Sequence, residues 1–440
     1  MRKSIEVLVA VLFLLALTAW AQEPVPNTFF GMIAHEGVVK REPFPSVPFG
    51  TLRLWDTHTK WLQMEPRPGS YDWDVLDRWL DAAHEHHLEV LFTFGGVPEW
   101  ITGDRNDDKC QHKNAGSGSC HPPRDLTEDG TGSNQAWKDF VTAIVRHAHG
   151  RIKYWEVWNE PHDLFFWHGN MAQMVRMTQD LRSIVKASDP EAMIVSPGTG
   201  WVNNHPESGK TDWNGVYWTD AYLAAGGKKY VDVIATHAYL KGECPSGHYD
   251  SDDIAPRVEE IRKVMKKDGV QDMPLWNTEG SWSKVSRFCV SDPDMQVAFV
   301  GQYHIASWAA GLQRMYWYAW NGEDTGVLWD EETGPTPAAK AYAEVYKWMV
   351  GATLTGCTET KTQPNCSFTR PDGSQYLAVW DRSQTCGRGN CTTVPVKVDA
   401  RYVDYLDLAG GKHTIEKGSV PVGLKPIWLE APPARKNSKG

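Results

Sequence analysis

Eight short β-prone runs recur along the chain, at residues 29–34, 51–55, 90–94, 154–159, 193–196, 231–237, 275–278 and 314–320. Amphipathic stretches separate them, at 73–86, 134–149, 171–187, 254–267 and 294–309. Their apolar residues fall three and four apart, as in Leu76, Trp79, Leu80 and Ala83, which is the helical period. Strand–helix units repeated this way predict an α/β chain folded as a (β/α)8 TIM barrel rather than an open doubly wound sheet. No Gly-x-Gly-x-x-Gly follows any of these strands, which speaks against a dinucleotide site, and no cofactor is expected. Past Gly351 the helical period stops. Short runs at 375–380, 393–398 and 402–407, with Gly-rich turns, predict a small sandwich-like β-domain over 352–432 and a polar tail at 433–440.

The first 21 residues differ in character. Met1-Arg2-Lys3 is basic, residues 7–17 are apolar, and Ala19-Trp20-Ala21 precedes the polar Gln22. A bilayer needs about 20 apolar residues, so this run is too short to span one. It reads as a signal peptide over 1–21, with the barrel over 22–351 of a secreted chain, extracellular or periplasmic, and no membrane association after cleavage. Eight cysteines, at 110, 120, 244, 289, 357, 366, 386 and 391, lie outside the leader. An even count in an exported chain favours disulfides over metal ligands. Local loop closure predicts Cys110–Cys120, Cys357–Cys366 and Cys386–Cys391. The loops after neighbouring strands six and seven predict Cys244–Cys289.

Composition excludes some classes. A formal net charge of −10 argues against a dedicated nucleic-acid binder, and 41% hydrophobic residues exclude wholesale disorder. Metal binding is not expected: zinc-finger spacing and Cys-x-x-Cys are absent, and His84-Glu-His-His87 sits at the polar end of a helix. Asn365-Cys-Ser and Asn390-Cys-Thr are formal glycosylation sequons. The 22 tryptophans in 440 residues are the abnormal figure. Flat aromatic faces suit the C–H faces of sugar rings, and they also fill cores. The connection over 103–133 is almost free of apolar residues and follows the third strand, so it belongs to the C-terminal face, where barrels of this kind do chemistry.

Two segments place a carboxylate at a strand end. Lys153-Tyr-Trp-Glu-Val-Trp-Asn-Glu-Pro161 ends strand four at Glu160, and Leu275-Trp-Asn-Thr-Glu279 ends strand seven. Either glutamate alone is an ordinary solvated loop residue. Two of them, each flanked by Trp and Asn on strands whose ends face across the mouth, supply the pair that glycoside hydrolysis requires.

These motifs carry a resemblance. Trp158-Asn159-Glu160-Pro161 and Thr278-Glu279 resemble the clan A retaining glycoside hydrolases, and Gly50-Thr-Leu-Arg-Leu-Trp-Asp56 with Trp61, Glu65-Pro66 and Gly69-Ser-Tyr-Asp72 is most similar to glycoside hydrolase family 39 and its neighbours. The resemblance spans roughly 28–350. It implies Glu160 as acid/base, Glu279 as nucleophile, Asn159 on the sugar 2-hydroxyl and Arg53 holding Glu279 ionised. It also implies that His237 and Tyr239, in Thr236-His-Ala-Tyr239, stand beside the nucleophile. Trp317 and Trp320 are candidate sugar platforms, although strand alternation lets only one of them face the barrel axis. His35 on strand one is a further candidate contact. Gly280-Ser281-Trp282 after the nucleophile fits the clan pattern loosely.

The expected function is a secreted retaining glycosidase acting on a polysaccharide or oligosaccharide. Abundant Trp and the export signal favour endo-action. The alternatives are an exo-acting β-xylosidase-like enzyme and a non-catalytic carbohydrate-binding barrel, against which the presence of both glutamates counts. The partner is carbohydrate, not nucleic acid or membrane, and no feature of the sequence speaks to oligomeric state. Trp380 and Trp428 of the β-domain are expected to glue it to the barrel, because no Pro/Ser/Thr-rich linker precedes it.

Overall fold

The computed structural model describes residues 23–35, 37–103, 118–200, 215–240, 242–243, 248–249, 254–282, 290–322 and 325–433. The leader, the polar tail from residue 434, and Cys110, Cys244 and Cys289 lie outside the described residues, so the expected Cys110–Cys120 and Cys244–Cys289 pairs do as well.

Eight parallel strands form one sheet: β1 (Phe30–Ile33), β2 (Thr51–Leu54), β3 (Glu89–Thr93), β4 (Tyr154–Glu156), β5 (Met193–Val195), β6 (Ile234–His237), β7 (Leu275–Gly280) and β8 (Arg314–Tyr318). They pair in the order β5-β4-β3-β2-β1-β8-β7-β6. Parallel bridges Val195↔Val233 and Gly200↔His237 join the two ends, so the sheet closes into the expected TIM barrel. Helices α1 (Asp74–Glu85), α2 (Gln135–Ala148), α3 (Met171–Ser188), α4 (Gly215–Ala224), α5 (Ile254–Lys267), α6 (Pro293–Ala309) and α7 (Pro337–Met349) surround it. Local chemistry sets their starts. Asn170 caps α3 by accepting from the Gln173 amide, while the Gln173 side chain accepts from the Asn170 amide. Asp292 and Thr336 cap α6 and α7, each followed by proline in the first turn.

Strand alternation sorts the barrel interior into two levels. The lower is apolar and aromatic: Leu91, Tyr154, Val195, Ala235, Trp276 and Tyr316 form one buried cluster. Two residues further along the strands, toward the C-terminal face, stand Thr93, Glu156, His237 and Tyr318, with Arg53 on β2 alongside them. β7 needs a correction to reach this level. The register runs Ala235↔Trp276, Thr236↔Asn277 and then His237↔Glu279, so Thr278 is an extra, bulged residue. Without that bulge Thr278 would face inward and Glu279 outward.

From Thr353 the chain is all β. A six-stranded sheet contains β9 (Thr353–Thr360), β10 (Gln363–Thr369), β11 (Gln375–Val379), β13 (Asp404–Leu406), β14 (Lys412–Thr414) and β16 (Ile427–Ala431). A ribbon of β12 (Thr393–Lys397) and β15 (Ser419–Gly423) forms a separate pair. Val379, Val420, Val422, Ile427 and Leu429 make a core shared by the sheet and the ribbon. Cys357–Cys366 and Cys386–Cys391 are bridged as expected. This sheet is seated on α6 and α7: Trp428 stacks on Trp348 at 5.8 Å, Gln302 Nε2 donates to the Leu424 carbonyl at 2.7 Å, and Lys425 pairs with Asp294 at 2.6 Å. Trp380 is buried as well.

Candidate active site

The centre of the site is Arg53, fully buried on β2. Its Nε donates to Glu156 Oε2, its Nη1 to Glu279 Oε2 and its Nη2 to Asn159 Oδ1, each at 2.8 Å. A guanidinium presents several donors in a fixed plane, so one side chain ties the ends of β4 and β7 to β2. The flanking carboxylates hold its proton more tightly than usual, even against the opposing effect of burial. Thr93 Oγ1 adds a 2.6 Å bond to Glu156 Oε2.

Glu279 is 6% exposed. Its Oε2 accepts from Arg53, and its Oε1 accepts from the Tyr239 hydroxyl at 2.7 Å. Burial drives its pKa up, while His237, Arg53 and the Tyr239 hydrogen bond oppose that shift. Glu160 has a different set of neighbours. Its Oε1 lies 2.8 Å from His237 Nδ1, and among the described residues no guanidinium bonds it. Burial raises its pKa too, against the pull of His162, with Asp163 adding to the rise. The backbone at Glu160 is left-handed, with φ of 43°, an unfavourable state for a side-chain-bearing residue and a common feature of functional sites. It directs the side chain across the mouth, and one oxygen of Glu160, one of Glu279 and a nitrogen of His237 all lie within 4.8 Å of one another. Three such donors also describe a metal site in outline. The Arg53 guanidinium 2.8 Å from Glu279 opposes a cation there, and the arrangement fits a carboxyl pair sharing a proton.

The structure thus brings together Arg53, Asn159, Glu160, His237, Tyr239 and Glu279. The tryptophans are placed otherwise. Trp317, expected as a sugar platform, is fully buried, stacked on His304 at 5.7 Å, with its Nε1 donating to the Gly326 carbonyl at 2.7 Å. Trp320 is 1% exposed. Neither offers a ring face to a ligand. Alternation explains the first case: Trp317 faces the helices, and its neighbour Tyr318 faces the mouth. The Tyr318 hydroxyl donates to Asp56 at 2.9 Å, and its ring meets His35 edge-on at 4.6 Å. His35, Asp56, Lys60, Tyr318 and Trp329 line a polar cleft of about 620 Å³ over the ends of β1, β2 and β8. The two glutamates are not in its lining; Tyr318, which is, also feels the charge of Glu279.

Sequence reasoning passed over Glu156, Thr93, Asp56, His162 and Tyr318. A signal for Glu156 exists: a buried arginine needs more than one counter-charge, and Glu156 shares the inner face of β4 with Tyr154. Buried His162 touches the site through Glu160, and burial lowers its pKa to about 4.

Comparisons with known proteins agree with this geometry. The model of the family described as "Glycosyl hydrolases family 39" matches residues 65–317, which include Glu156, Asn159, Glu160, His237, Tyr239 and Glu279 but not Arg53. A family 39 glycoside hydrolase from Bacteroides cellulosilyticus WH2 superposes with a TM-score of 0.66 at 16% identity, covering 92% of this chain and 81% of its own. A monomeric β-xylosidase from Caulobacter crescentus CB15 gives a TM-score of 0.65 at 16% identity, covering 94% and 98%. A GH30 endoxylanase from Clostridium papyrosolvens C71 gives 0.58 at 12% identity, covering 94% and 98%. At these identities the superpositions speak to the fold. No curated protein matches the sequence.

Proposed function

Since the chain belongs to glycosyl hydrolases family 39 and is therefore a glycosidase, we propose that it works by double displacement with retention, with Glu160 as acid/base and Glu279 as nucleophile. The observation that carries this reading is the pair itself. The two carboxyls approach within 4.8 Å, whereas inverting enzymes hold theirs about 6.5–9.5 Å apart to seat a water between them.

The partners divide the roles. Glu279 receives donors from Arg53 and Tyr239, which favour its carboxylate form and aim it at the anomeric carbon. Glu160 is half-buried and, among the described residues, bonded by no guanidinium, so it is the one to carry the proton. In the first step Glu279 attacks the anomeric carbon, the glycosidic C–O bond breaks, and the leaving oxygen takes the proton from Glu160. In the second step Glu160, now a carboxylate, takes a proton from water. The hydroxide equivalent attacks the anomeric carbon and Glu279 leaves as carboxylate. Asn159 bonds the sugar 2-hydroxyl in this reading, a role supported by its position beside Glu160 and its bond from Arg53.

The substrate is a polysaccharide or oligosaccharide of the extracellular or periplasmic space, cut internally. The leader supports this reading, as do two disulfides. Among the described residues no helix is long and apolar enough to cross a membrane. The names of the structural neighbours make xylose-containing glycans the first to try. Digestion of xylan and a panel of β-linked oligosaccharides, with product sizing, tests the proposal. A ladder of oligomers supports endo-action, release of single sugars supports the β-xylosidase-like alternative, and no cleavage of any glycan would leave only a carbohydrate-binding barrel.

A further inference from the structure

His237 has two ring nitrogens with different surroundings. Nδ1 lies 2.8 Å from Glu160 Oε1, and that contact admits two proton arrangements: an Nδ1–H donating to a Glu160 carboxylate, or a Glu160 carboxyl donating to an Nδ1 lone pair. Nε2, on the other side of the ring, decides between them. It is buried without a hydrogen-bond partner, and so is Glu156 Oε1. Both atoms flank one point, the place a Cβ on Gly198 would occupy, at 2.3 Å and 2.9 Å respectively. Only glycine leaves this passage open. Glu156 cannot rotate away from it, because its Oε2 accepts from Arg53 and from Thr93 Oγ1, which leaves Oε1 toward the imidazole.

The groups facing His237 are Glu160 and Glu279, whose Oε1 is 3.9 Å from Nδ1, together with Arg53, Glu156 and His162. Burial lowers the His237 pKa to about 4, with Arg53 reinforcing and Glu279 and Glu156 opposing. The ring is therefore neutral near pH 7 and carries one proton. A carboxylate clamped by Arg53 attracts that proton from the Nε2 side, whereas on the Nδ1 side Glu160 has a raised pKa and can supply a proton of its own.

We propose that Glu156 is a positioning residue for the catalytic acid: it selects the Nε2–H tautomer of His237, which leaves Nδ1 as an acceptor and keeps Glu160 protonated in the free enzyme. This rests on the reading of Glu160 as acid/base. It also bears on the second step. Once Glu160 has given up its proton, its carboxylate faces the Nδ1 lone pair, which favours recapture of a proton from water.

The test is the ¹⁵N resonance pattern of His237 in the free, ¹⁵N-histidine-labelled full chain, assigned by its loss in His237→Gln. Wild type should show a protonated Nε2 and a bare Nδ1. Glu156→Gln should reverse this, because the amide oxygen keeps the bonds from Arg53 and Thr93 while the side chain loses the negative charge that draws the ring proton to Nε2. The same variant should lose about tenfold in kcat on aryl xylosides with poor leaving groups, a fraction of the roughly 10²–10⁴-fold that a general acid supplies. Its loss on dinitrophenyl xyloside, which needs little proton donation, should be several-fold smaller than its loss on the poor leaving groups. An Nδ1–H ring in wild type, or an unchanged tautomer in Glu156→Gln, overturns the proposal. If the variant fails to fold, the wild-type tautomer alone decides. An Nδ1–H ring in an enzyme whose Glu160→Ala variant still shows leaving-group dependence sinks this proposal alone. Loss of that dependence sinks the acid/base reading beneath it.

Discussion

Replacing Tyr239 by phenylalanine removes a single oxygen from the site, and the structure fixes what that oxygen does. The hydroxyl donates to Glu279 Oε1 at 2.7 Å, and His237 Nδ1, 3.9 Å from that oxygen, makes no hydrogen bond to it. Burial beside Glu279 raises the Tyr239 pKa well above its ordinary value, so the group is a neutral donor at every working pH. A hydrogen bond to a charged group contributes about 1.5–3 kcal/mol. The bond stabilises the ionised form of Glu279, so its loss moves the apparent pKa of the carboxyl pair upward. At 1.36 kcal/mol per unit, the shift is about 1–2 units. The pair titrates as a unit, so the shift is read from the acidic limb of kcat/KM against pH, not assigned to one residue. Below the limb, Tyr239→Phe should lose roughly 10–150-fold relative to wild type, following the same free energy. Above the limb the difference should shrink. A variant with a reduced plateau but an unmoved acidic limb would refute the reasoning, because it would mean that Tyr239 does not set the ionisation of the nucleophile.

Other outcomes follow from the same geometry. Glu160→Ala should spare activated aryl glycosides and cost about 10²–10⁴-fold on poor leaving groups; equal losses on both would argue against the acid role. Glu160→Gln should stabilise the fold. The carboxyl ordinarily titrates at 4.5, and burial raises that value in the folded state, so folded protein binds more protons than unfolded in the window above 4.5, and stability falls as pH rises through it. The amide removes that loss, so the gain in urea midpoint should be larger at pH 7 than at pH 4; a pH-independent gain would contradict the assignment. Trp428→Ala should cost about 3–5 kcal/mol, because the ring is 1% exposed and stacks on Trp348 between the C-terminal sheet and α7. By the same contacts, deletion of residues 352–440 should leave an aggregating barrel. A soluble, fully active truncation would instead revive a roaming sugar-binding module.

The barrel was legible because its strands are short apolar runs between amphipathic stretches, and all eight fall within three residues of their expected bounds. α4 escaped notice because Val216, Tyr217, Trp218, Ala221, Tyr222 and Leu223 put apolar residues nearly all round the helix, which erases the 3.6-residue stripe. The carboxylates were legible through motif and strand rank, and Arg53, Asn159, His237 and Tyr239 through the resemblance. The tryptophans misled because alternation tells the two faces apart without saying which residue meets the mouth: Trp317 faces the helices, Trp320 lies buried beyond the end of β8, and the mouth belongs to Tyr318. The bulge at Thr278 could not be read, since a register shift depends on the partner strand. Glu156 carries no such strand-end motif: it stands four residues before Glu160 within the same run, and only the folded barrel shows it as counter-charge to Arg53.

The central claim is a retaining pair made of Glu160 and Glu279, and stereochemistry tests it most directly. On the glycan that digestion identifies, ¹H NMR of the first minutes of hydrolysis should show the new reducing end with the anomeric configuration of the bond that was cut, before mutarotation mixes the two. Glu279→Ala should abolish this, and azide should restore turnover as a glycosyl azide of opposite configuration. Initial release of the opposite anomer by the wild-type enzyme would contradict the account, whatever the distance between the carboxyls.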